Sequence, residues 1–466
     1  MRNKKYSKFI TAMFWLAVWQ AAALLVSNKL LLPDPADAFF ALTALAGTSK
    51  FYMDIGWTAA RCLVAMAVSF AAGIPAAALS FRYDEVRNIL SLPVGFFKAV
   101  PVMAIIIYVI LLAESDWVAV TVCFFMCFPI VYTNILEGLD AMPSAYPEVG
   151  KICRLSRGEI VKYIYGPGLL PQIKAAISLT AGLSWKAVVA AEVLSIPKYS
   201  LGYEMINAKY YLETADLFAY IFVIVVLSMA FEKLINLGMR RIEWKGYEGS
   251  ILHAHGVKNL PQQPAATGIE VSHLTKAFEG KRVLDDVNMT FEAGKVTALM
   301  GSSGQGKTTL ARIIAGLEAA ESGRVFIEDE GKMAIGKTEA FAGKVSFLFQ
   351  EDRLLPWLNI YDNIAIGGGN AERIRDLAGQ LEIESELWKL PGELSGGQRH
   401  RAALARTFAA GGALVILDEP FRGLDGSLKD RIIDRLWKRE TEGRTVILIT
   451  HSREDAERLA DKIREL

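Results

Sequence analysis

A chain of 466 residues, 52% hydrophobic and with a net charge of +1, is long enough for two to four domains, and its balanced charge argues against a nucleic-acid partner. The average hides two unlike parts, an apolar N-terminal part and a charge-rich C-terminal part, which excludes a purely soluble protein.

A membrane-spanning helix needs about 20 mostly apolar residues. Six stretches qualify: 9–28, 56–81, 99–113, 117–138, 175–196 and 217–238. The third is short, and Pro101 near its start predicts a helix broken from the segment 88–98. Arg2, Lys4, Lys5 and Lys8 precede the first span, and Arg82 and Arg87 follow the second. Lys151, Arg154, Arg157, Lys162 and Lys174 lie between the fourth and fifth, and Arg240, Arg241 and Lys245 follow the sixth. All fall on one side, so both the N-terminus and the C-terminal part are expected in the cytoplasm, with the lipid bilayer as a partner. The first stretch is long for a signal peptide and lacks a clear small-residue cleavage site, so it reads as a span. The four cysteines, Cys62, Cys123, Cys127 and Cys153, lie in the apolar part without metal-ligand spacing. Arg61 reads as a cation snorkelling near the outer surface. Lys186 and Glu192, in or near the fifth span, would cost ~2.5–3.5 kcal/mol each if left in lipid. They either shape a translocation path, together with Trp185, or form a structural pair, or snorkel from helix ends.

Residues 242–267 form a polar tether carrying Pro261, Gln262, Gln263 and Pro264. Beyond it, the apolar strand Lys295-Val-Thr-Ala-Leu-Met300 runs into Gly301-Ser302-Ser303-Gly304-Gln305-Gly306-Lys307-Thr308-Thr309. This is the phosphate-binding pattern G-x-x-x-x-G-K-[ST] in its strand–loop–helix context. The glycines let backbone N–H groups curl around phosphate oxygens at a helix N-terminus. Lys307 would neutralise the β- and γ-phosphates of ATP, and Thr308 would hold Mg2+. Ala413-Leu-Val-Ile-Leu-Asp418-Glu419 is a second apolar strand, ending in two carboxylates. Asp418 would support Mg2+ and Glu419 would polarise the attacking water.

At Leu394-Ser395-Gly396-Gly397-Gln398 the chain resembles the ATPases of ABC transporters. The resemblance implies that Gln350 is the Q-loop glutamine, touching Mg2+ and the reacting water. It likewise implies that Asp425, in Gly423-Leu424-Asp425, belongs to the D-loop, that His451 is the switch histidine and that Phe278 stacks on adenine. In that family Ser395 and Gly397 meet the nucleotide held by the opposite subunit, so a second copy of the chain is implied, with two composite ATP sites. One amphipathic helix is expected after His451, with no further regulatory domain.

The segment Glu148-Val-Gly150-Lys-Ile-Cys-Arg154 resembles the cytoplasmic coupling loop of binding-protein-dependent importer permeases, although Val149-Gly150 replaces the usual alanine pair and Arg154 stands where the family has glycine. Phe96-Phe-Lys-Ala-Val-Pro101, Ser184-Trp185-Lys186 through Glu192, and Gly202-Tyr203 resemble nitrate/sulfonate/taurine-type permeases; Arg353-Leu-Leu-Pro356-Trp357 resembles their partner ATPases. The expected architecture is an all-α polytopic membrane domain of about six spans at 1–241, a linker at 242–267, and an α/β phosphate-loop ATPase domain with a helical subdomain at 268–466. The expected function is ATP-driven import of a small solute across the cell membrane, delivered by an external solute-binding protein. Two alternatives stand beside it. An exporter or lipid flippase would use long cytoplasmic helix extensions, against which the short loop after the second span argues. A membrane-anchored regulatory ATPase is favoured by nothing in the sequence.

Overall fold

The computed structural model describes residues 2–241, 266–302, 304–329, 332–335 and 345–466. The chain forms two compact units. One comprises Met1–Ala141 with Leu169–Glu243, the other Met142–Gly168 with Trp244–Leu466. The expected tether 242–267 lies outside the described residues, except for Ala266 and Thr267.

The first unit is helical. α1 (Arg2–Val26) leads to α2 (Pro35–Ala46), which starts where the Asp34 side chain accepts from Asp37 N and Pro35 presets the first turn. α3 (Ser49–Arg82) packs closely on α6 (Ser115–Asp140). Only a glycine fits at the contact, because a Cβ on Gly73 would lie 2.8 Å from Val131 Cγ1. Between them, α4 (Asp84–Ala99) and α5 (Val102–Ile110) meet at 104°. Proline lacks the N–H that would continue α4 and holds Val100 extended, at φ −71° and ψ 131°, so the helix breaks at Pro101 as the sequence predicts. α8 (Arg157–Ser195) enters this unit from Leu169 onward; α9 (Leu201–Tyr210) and α10 (Thr214–Arg241) complete it.

Among the described residues, α3, α6, α8 and α10 are long and apolar enough to cross a membrane, and the α4–α5 pair makes a fifth crossing if it counts as one span. The remaining expected span, the first at 9–28, falls in α1, whose apolar stretch Met13–Val26 is shorter than the others. α2 is an apolar helix in the stretch between the first two expected spans, for which the sequence predicted no element.

The second unit contains the short helix α7 (Ala145–Ile152) and two sheets. β1 (Ile269–Phe278), β2 (Lys281–Phe291), β4 (Ser322–Asp329) and β5 (Lys332–Ile335) form an antiparallel sheet in the order β2-β1-β4-β5. β3 (Val296–Met300), β6 (Val345–Leu348), β7 (Leu414–Asp418), β8 (Thr445–Ile449) and β9 (Lys462–Glu465) form a parallel sheet in the order β6-β7-β8-β3-β9. β6, β7 and β8 are buried along their whole length, as their unbroken apolar runs require of a parallel sheet covered on both faces. Helices α11 (Lys307–Ile314), α12 (Ile360–Ala365), α13 (Ala371–Gln380) and α14 (Gly396–Ala409) pack around this sheet and beside it. After His451, the helix Arg453–Leu459 is followed by β9, an edge strand that the sequence did not announce.

Candidate functional site

Parallel strands deliver their carboxyl ends to one sheet edge. The loop 301–306 leaves β3 there, Asp418 ends β7, and His451 follows β8. Gly301, Gly304 and Gly306 have φ of 145°, 84° and 94°, conformations that favour glycine. A Cβ on Gly306 would lie 2.7 Å from both Leu284 Cδ2 and the Val283 carbonyl, so the loop is pressed against β2. Lys307 is 5% exposed, and its ammonium donates to the carbonyls of Gly301 and Ser302 at 2.8 and 2.7 Å. Burial pushes that ammonium down, against the pull of Asp418 and Glu419. Gln305 Oε1 accepts from Ser302 N at 2.6 Å, and Thr309 sits in the first turn of α11. Ser303 lies outside the described residues.

Thr308 Oγ1 donates to Asp418 Oδ2 at 2.8 Å, which sets two hard oxygen ligands side by side. Burial pushes the Asp418 carboxyl up, and the Thr308 hydroxyl partly offsets it. Among the described residues no three His, Cys, Asp or Glu side chains gather as a metal cage. One hydroxyl and one carboxylate suit Mg2+, which keeps waters and phosphate oxygens as its remaining ligands. Glu419 occupies the left-handed region at φ 52°, where a side chain is strained by roughly 1–3 kcal/mol. Its N–H donates to the Ile449 carbonyl at 2.9 Å, and its carboxylate lies 3.2 Å from His451 Nε2. Gln350 is exposed just beyond β6. Phe278 is 45% exposed at the end of β1, with Lys276 Nζ 4.9 Å from its ring centre.

The second group of site residues gathers at another place. Ser395 caps α14, accepting from Gln398 N at 3.3 Å, while Gln398 Oε1 accepts from Ser395 N at 2.9 Å. This capping box fixes the turn and leaves Gly396 at the helix N-terminus. A Cβ on Gly397 would lie 3.6 Å from the Gly423 carbonyl. Asp425 caps the helix Gly426–Ile432, accepting from Ser427 Oγ at 2.8 Å.

Met142–Gly168 belongs to the same unit as both sheets. Glu148, in α7, accepts from Arg312 through Nη2 at 2.8 Å and Nη1 at 3.1 Å, and is also paired with Arg353. Burial pushes the Glu148 carboxyl up, but the two guanidiniums outweigh it and hold it below the ordinary range. Trp357 Nε1 donates to the Tyr163 carbonyl at 2.9 Å, and the Trp357 ring meets Tyr146 edge-on. A Cβ on Gly150 would lie 2.7 Å from Ile164 Cδ1. Arg154 has φ 59°, which gives a physical reason for glycine there in the permeases this segment resembles: the left-handed backbone costs an L-residue about 1–2 kcal/mol. Arg312 was not singled out from sequence; nothing local marks it, since its partner lies 164 residues away.

In the membrane unit, Trp185 is 2% exposed and packs edge-on against Phe231, while Lys186 is exposed. Glu192 is fully buried. It accepts from Arg61 Nη1 at 2.9 Å, Thr58 Oγ1 at 3.0 Å and Gly202 N at 3.2 Å. Arg61 is therefore not a snorkelling surface cation. It is 6% exposed and also donates to the Tyr199 carbonyl and Asp116.

A phosphate loop at the carboxyl edge of a parallel sheet, facing a strand-end carboxylate pair, defines an ATP-binding ATPase unit. Two family models match the chain: one described as binding-protein-dependent transport system inner membrane component, over residues 69–244, and one as ABC transporter, over residues 284–422. The aliphatic sulfonates import ATP-binding protein SsuB of Cupriavidus necator is 36% identical over 215 residues, 45% of this chain and 69% of that protein. The sulfate/thiosulfate import ATP-binding protein CysA of Xanthomonas campestris is 36% identical over 211 residues, 42% of this chain and 60% of that protein. A solved bacterial ABC transporter cassette, described as dimeric, matches with 28% identity and a TM-score of 0.39, covering 42% of this chain and 94% of that one. The chain belongs to the ABC transporter family, with a permease and an ATPase fused in one polypeptide.

Proposed function

We propose that the protein imports a small solute across the cell membrane, with the ATPase in the cytoplasm, working as a homodimer with an external solute-binding protein. We assign the permease to residues 1–241 and the ATPase to 268–466, joined by the tether 242–267. The observation that carries the import reading is the docking of α7 through Glu148 onto Arg312 and Arg353, because Arg353 stands three residues after Gln350 and so ties this helix to the loop that senses the nucleotide. The permease family match supports the same reading. The named relatives import aliphatic sulfonates and sulfate or thiosulfate, which makes small oxyanions the first solutes to test.

In this reading, Lys307 and the N–H groups of 301–309 bind the phosphates of ATP, and Phe278 stacks on the base. Mg2+, when bound, would neutralise charge on the phosphates; Thr308, Asp418 and Gln350 are the side chains that would hold it. Glu419 takes the proton of the attacking water, and His451 orients Glu419 and meets the γ-phosphate. Ser395, Gly396, Gly397, Gln398 and Asp425 face the nucleotide bound by the second copy, so that ATP holds two ATPase units together and hydrolysis releases them. Arg154 and Gly150 shape the coupling turn; Trp185, Lys186 and Glu192 are assigned to the fifth span of the permease, near the solute path.

The test is the ATPase rate of the purified chain in lipid vesicles, with and without candidate solute-binding proteins, each loaded and empty. Stimulation by a loaded binding protein supports import and its ligand names the solute. Robust basal hydrolysis that no binding protein alters overturns the importer reading.

A further inference from the structure

His400, one turn into α14, is 5% exposed and joins two segments that the nucleotide chemistry needs in register. Its Nε2 lies 2.9 Å from the carbonyl of Pro420, the residue after Glu419. That carbonyl can only accept, so Nε2 carries a hydrogen and donates it. Its Nδ1 lies 2.9 Å from Asp352 Oδ1, two residues after Gln350. The same helix grips the other side of that loop: Arg406, 3% exposed, donates to the carbonyls of Asp352 and Arg353 at 2.9 and 2.8 Å. Arg353 in turn pairs with Glu148 of α7.

We infer that His400 is a positioning residue for ATP hydrolysis, a strut that fixes the strained turn at Glu419 against the Q-loop and so places the carboxylate on the attacking water. The inference rests on the reading of Glu419 as the base. The physical need for a strut is visible at that turn. A left-handed non-glycine backbone persists only where its surroundings hold it. The turn closes on itself through Arg422 N to the Glu419 carbonyl at 3.1 Å, and it is tied to other elements through Glu419 N to Ile449 and His400 to Pro420. The first ties the turn to β8. The second ties it to α14, whose N-terminus carries Ser395, and to the loop that contacts α7. Continuous hydrogen bonds therefore run from Glu148 through residues 352–353 and His400 to the residue beside Glu419.

The experiment compares steady-state ATP hydrolysis by the full chain in lipid vesicles for wild type, His400→Ala, His400→Gln, Asp352→Ala and the double variant His400→Ala/Asp352→Ala. The expected result for His400→Ala is a fall in kcat of about tenfold or more with the KM for ATP within about twofold, because the phosphate loop is untouched while the base is misplaced. His400→Gln, whose amide group has two hydrogens to donate, should recover most of the lost kcat. Asp352→Ala should lower kcat in the same direction, and the double variant should be no slower than the slower single variant, since both remove one strut. A retained KM also reports that the variant is folded; if His400→Ala does not fold, Asp352→Ala tests the same strut from its more accessible end. A kcat within twofold of wild type for His400→Ala, or additive losses in the double variant, would overturn the inference. Glu419→Gln separates the two claims. If it still turns over, the base is elsewhere and the underlying reading fails. If it is inactive while His400→Ala is normal, only the strut is lost.

Discussion

Glu192 in the membrane unit and Glu419 in the ATPase unit are both carboxylates beside a cationic or cation-forming partner, yet they are held in opposite ways. Glu192 has no exposed surface and is enclosed by Arg61, Thr58 and the Gly202 N–H, drawn from α3 and from the start of α9. Glu419 keeps about a fifth of its side chain exposed, faces a half-exposed His451, and sits on a strained backbone. A saturated carboxylate fastens helices together; one left accessible and aimed can accept a proton. Burial and partner count thus separate the carboxylate that fastens from the one proposed for chemistry, even when the residue type is the same.

The largest effect should come from the accessible carboxylate. Glu419→Gln is nearly isosteric, keeps nucleotide binding, and should lower ATP turnover by roughly 10²–10⁴-fold, the range of a lost general base, while Lys307→Ala should lose nucleotide binding itself. Hydrolysis rate beside nucleotide affinity checks both, and an active Glu419→Gln protein would erase the contrast.

Glu192→Ala should act on stability instead. It leaves Arg61 as a buried cation with one partner removed, a loss of about 3–5 kcal/mol by analogy with broken buried pairs. Replacing both residues, Arg61→Met with Glu192→Leu, should restore most of that. The readout is the thermal exposure of the neighbouring Cys62 thiol, which is buried in the folded unit. Equal Cys62 protection in wild type and Glu192→Ala would show that the pair fastens nothing.

The ATPase fold was legible in the sequence because its motifs sit at fixed spacings on a strand, a tight loop and a helix start: Gly301 to Thr309, Asp418–Glu419, and Ser395 to Gln398. The break at Pro101 was legible for the same local reason. What stayed hidden depends on chain segments far apart. Arg61 meets Glu192 across 131 residues and Arg312 meets Glu148 across 164, and no local pattern reports either encounter. The left-handed turn at Glu419 and the strand at the Lys462–Glu465 edge are likewise set by tertiary contacts. Helix α2 escaped because its apolar run is shorter than a span, with Pro33 just before the helix and Pro35 as its first residue.

Glu148 lies between the two extremes, ion-paired but only partly buried. Removing it should free α7 while leaving ATP binding intact. Glu148→Ala removes the charged hydrogen bonds from Arg312 and Arg353 and is expected to raise the labelling rate of Cys153, buried in the same segment, by roughly tenfold or more, in a chain whose other cysteines are alanine. The pH dependence has a definite sign. The folded carboxyl is held below its ordinary range, so its contribution is present above about pH 4.3, the ordinary glutamate value, and fades as pH falls through the folded value. The variant and wild type should therefore label alike in acid with a reagent active there. A persistent difference would assign the docking to Trp357 and the apolar contacts.

The smallest effect concerns Asp362 in α12, which extends the comparison to a buried carboxylate with no ion pair among the described residues. It is 1% exposed, its Oδ2 has no hydrogen-bond partner among the described residues, and burial pushes its carboxyl up to about 7. Here the sign is the reverse of Glu148. An acid whose folded value is raised contributes stability that is fully present below its unfolded value of about 3.9 and is lost as pH rises through 7. The ATPase unit should therefore melt lower at pH 8 than at pH 6. Asp362→Asn, which cannot ionise, should flatten that slope, with a shift of roughly 2–4 °C for each kcal/mol involved. Thermal unfolding at the two pH values decides it. If the slope survives in Asp362→Asn, the proton taken up on folding belongs to another group, and isolation from partners does not by itself make a buried carboxylate sensitive to pH.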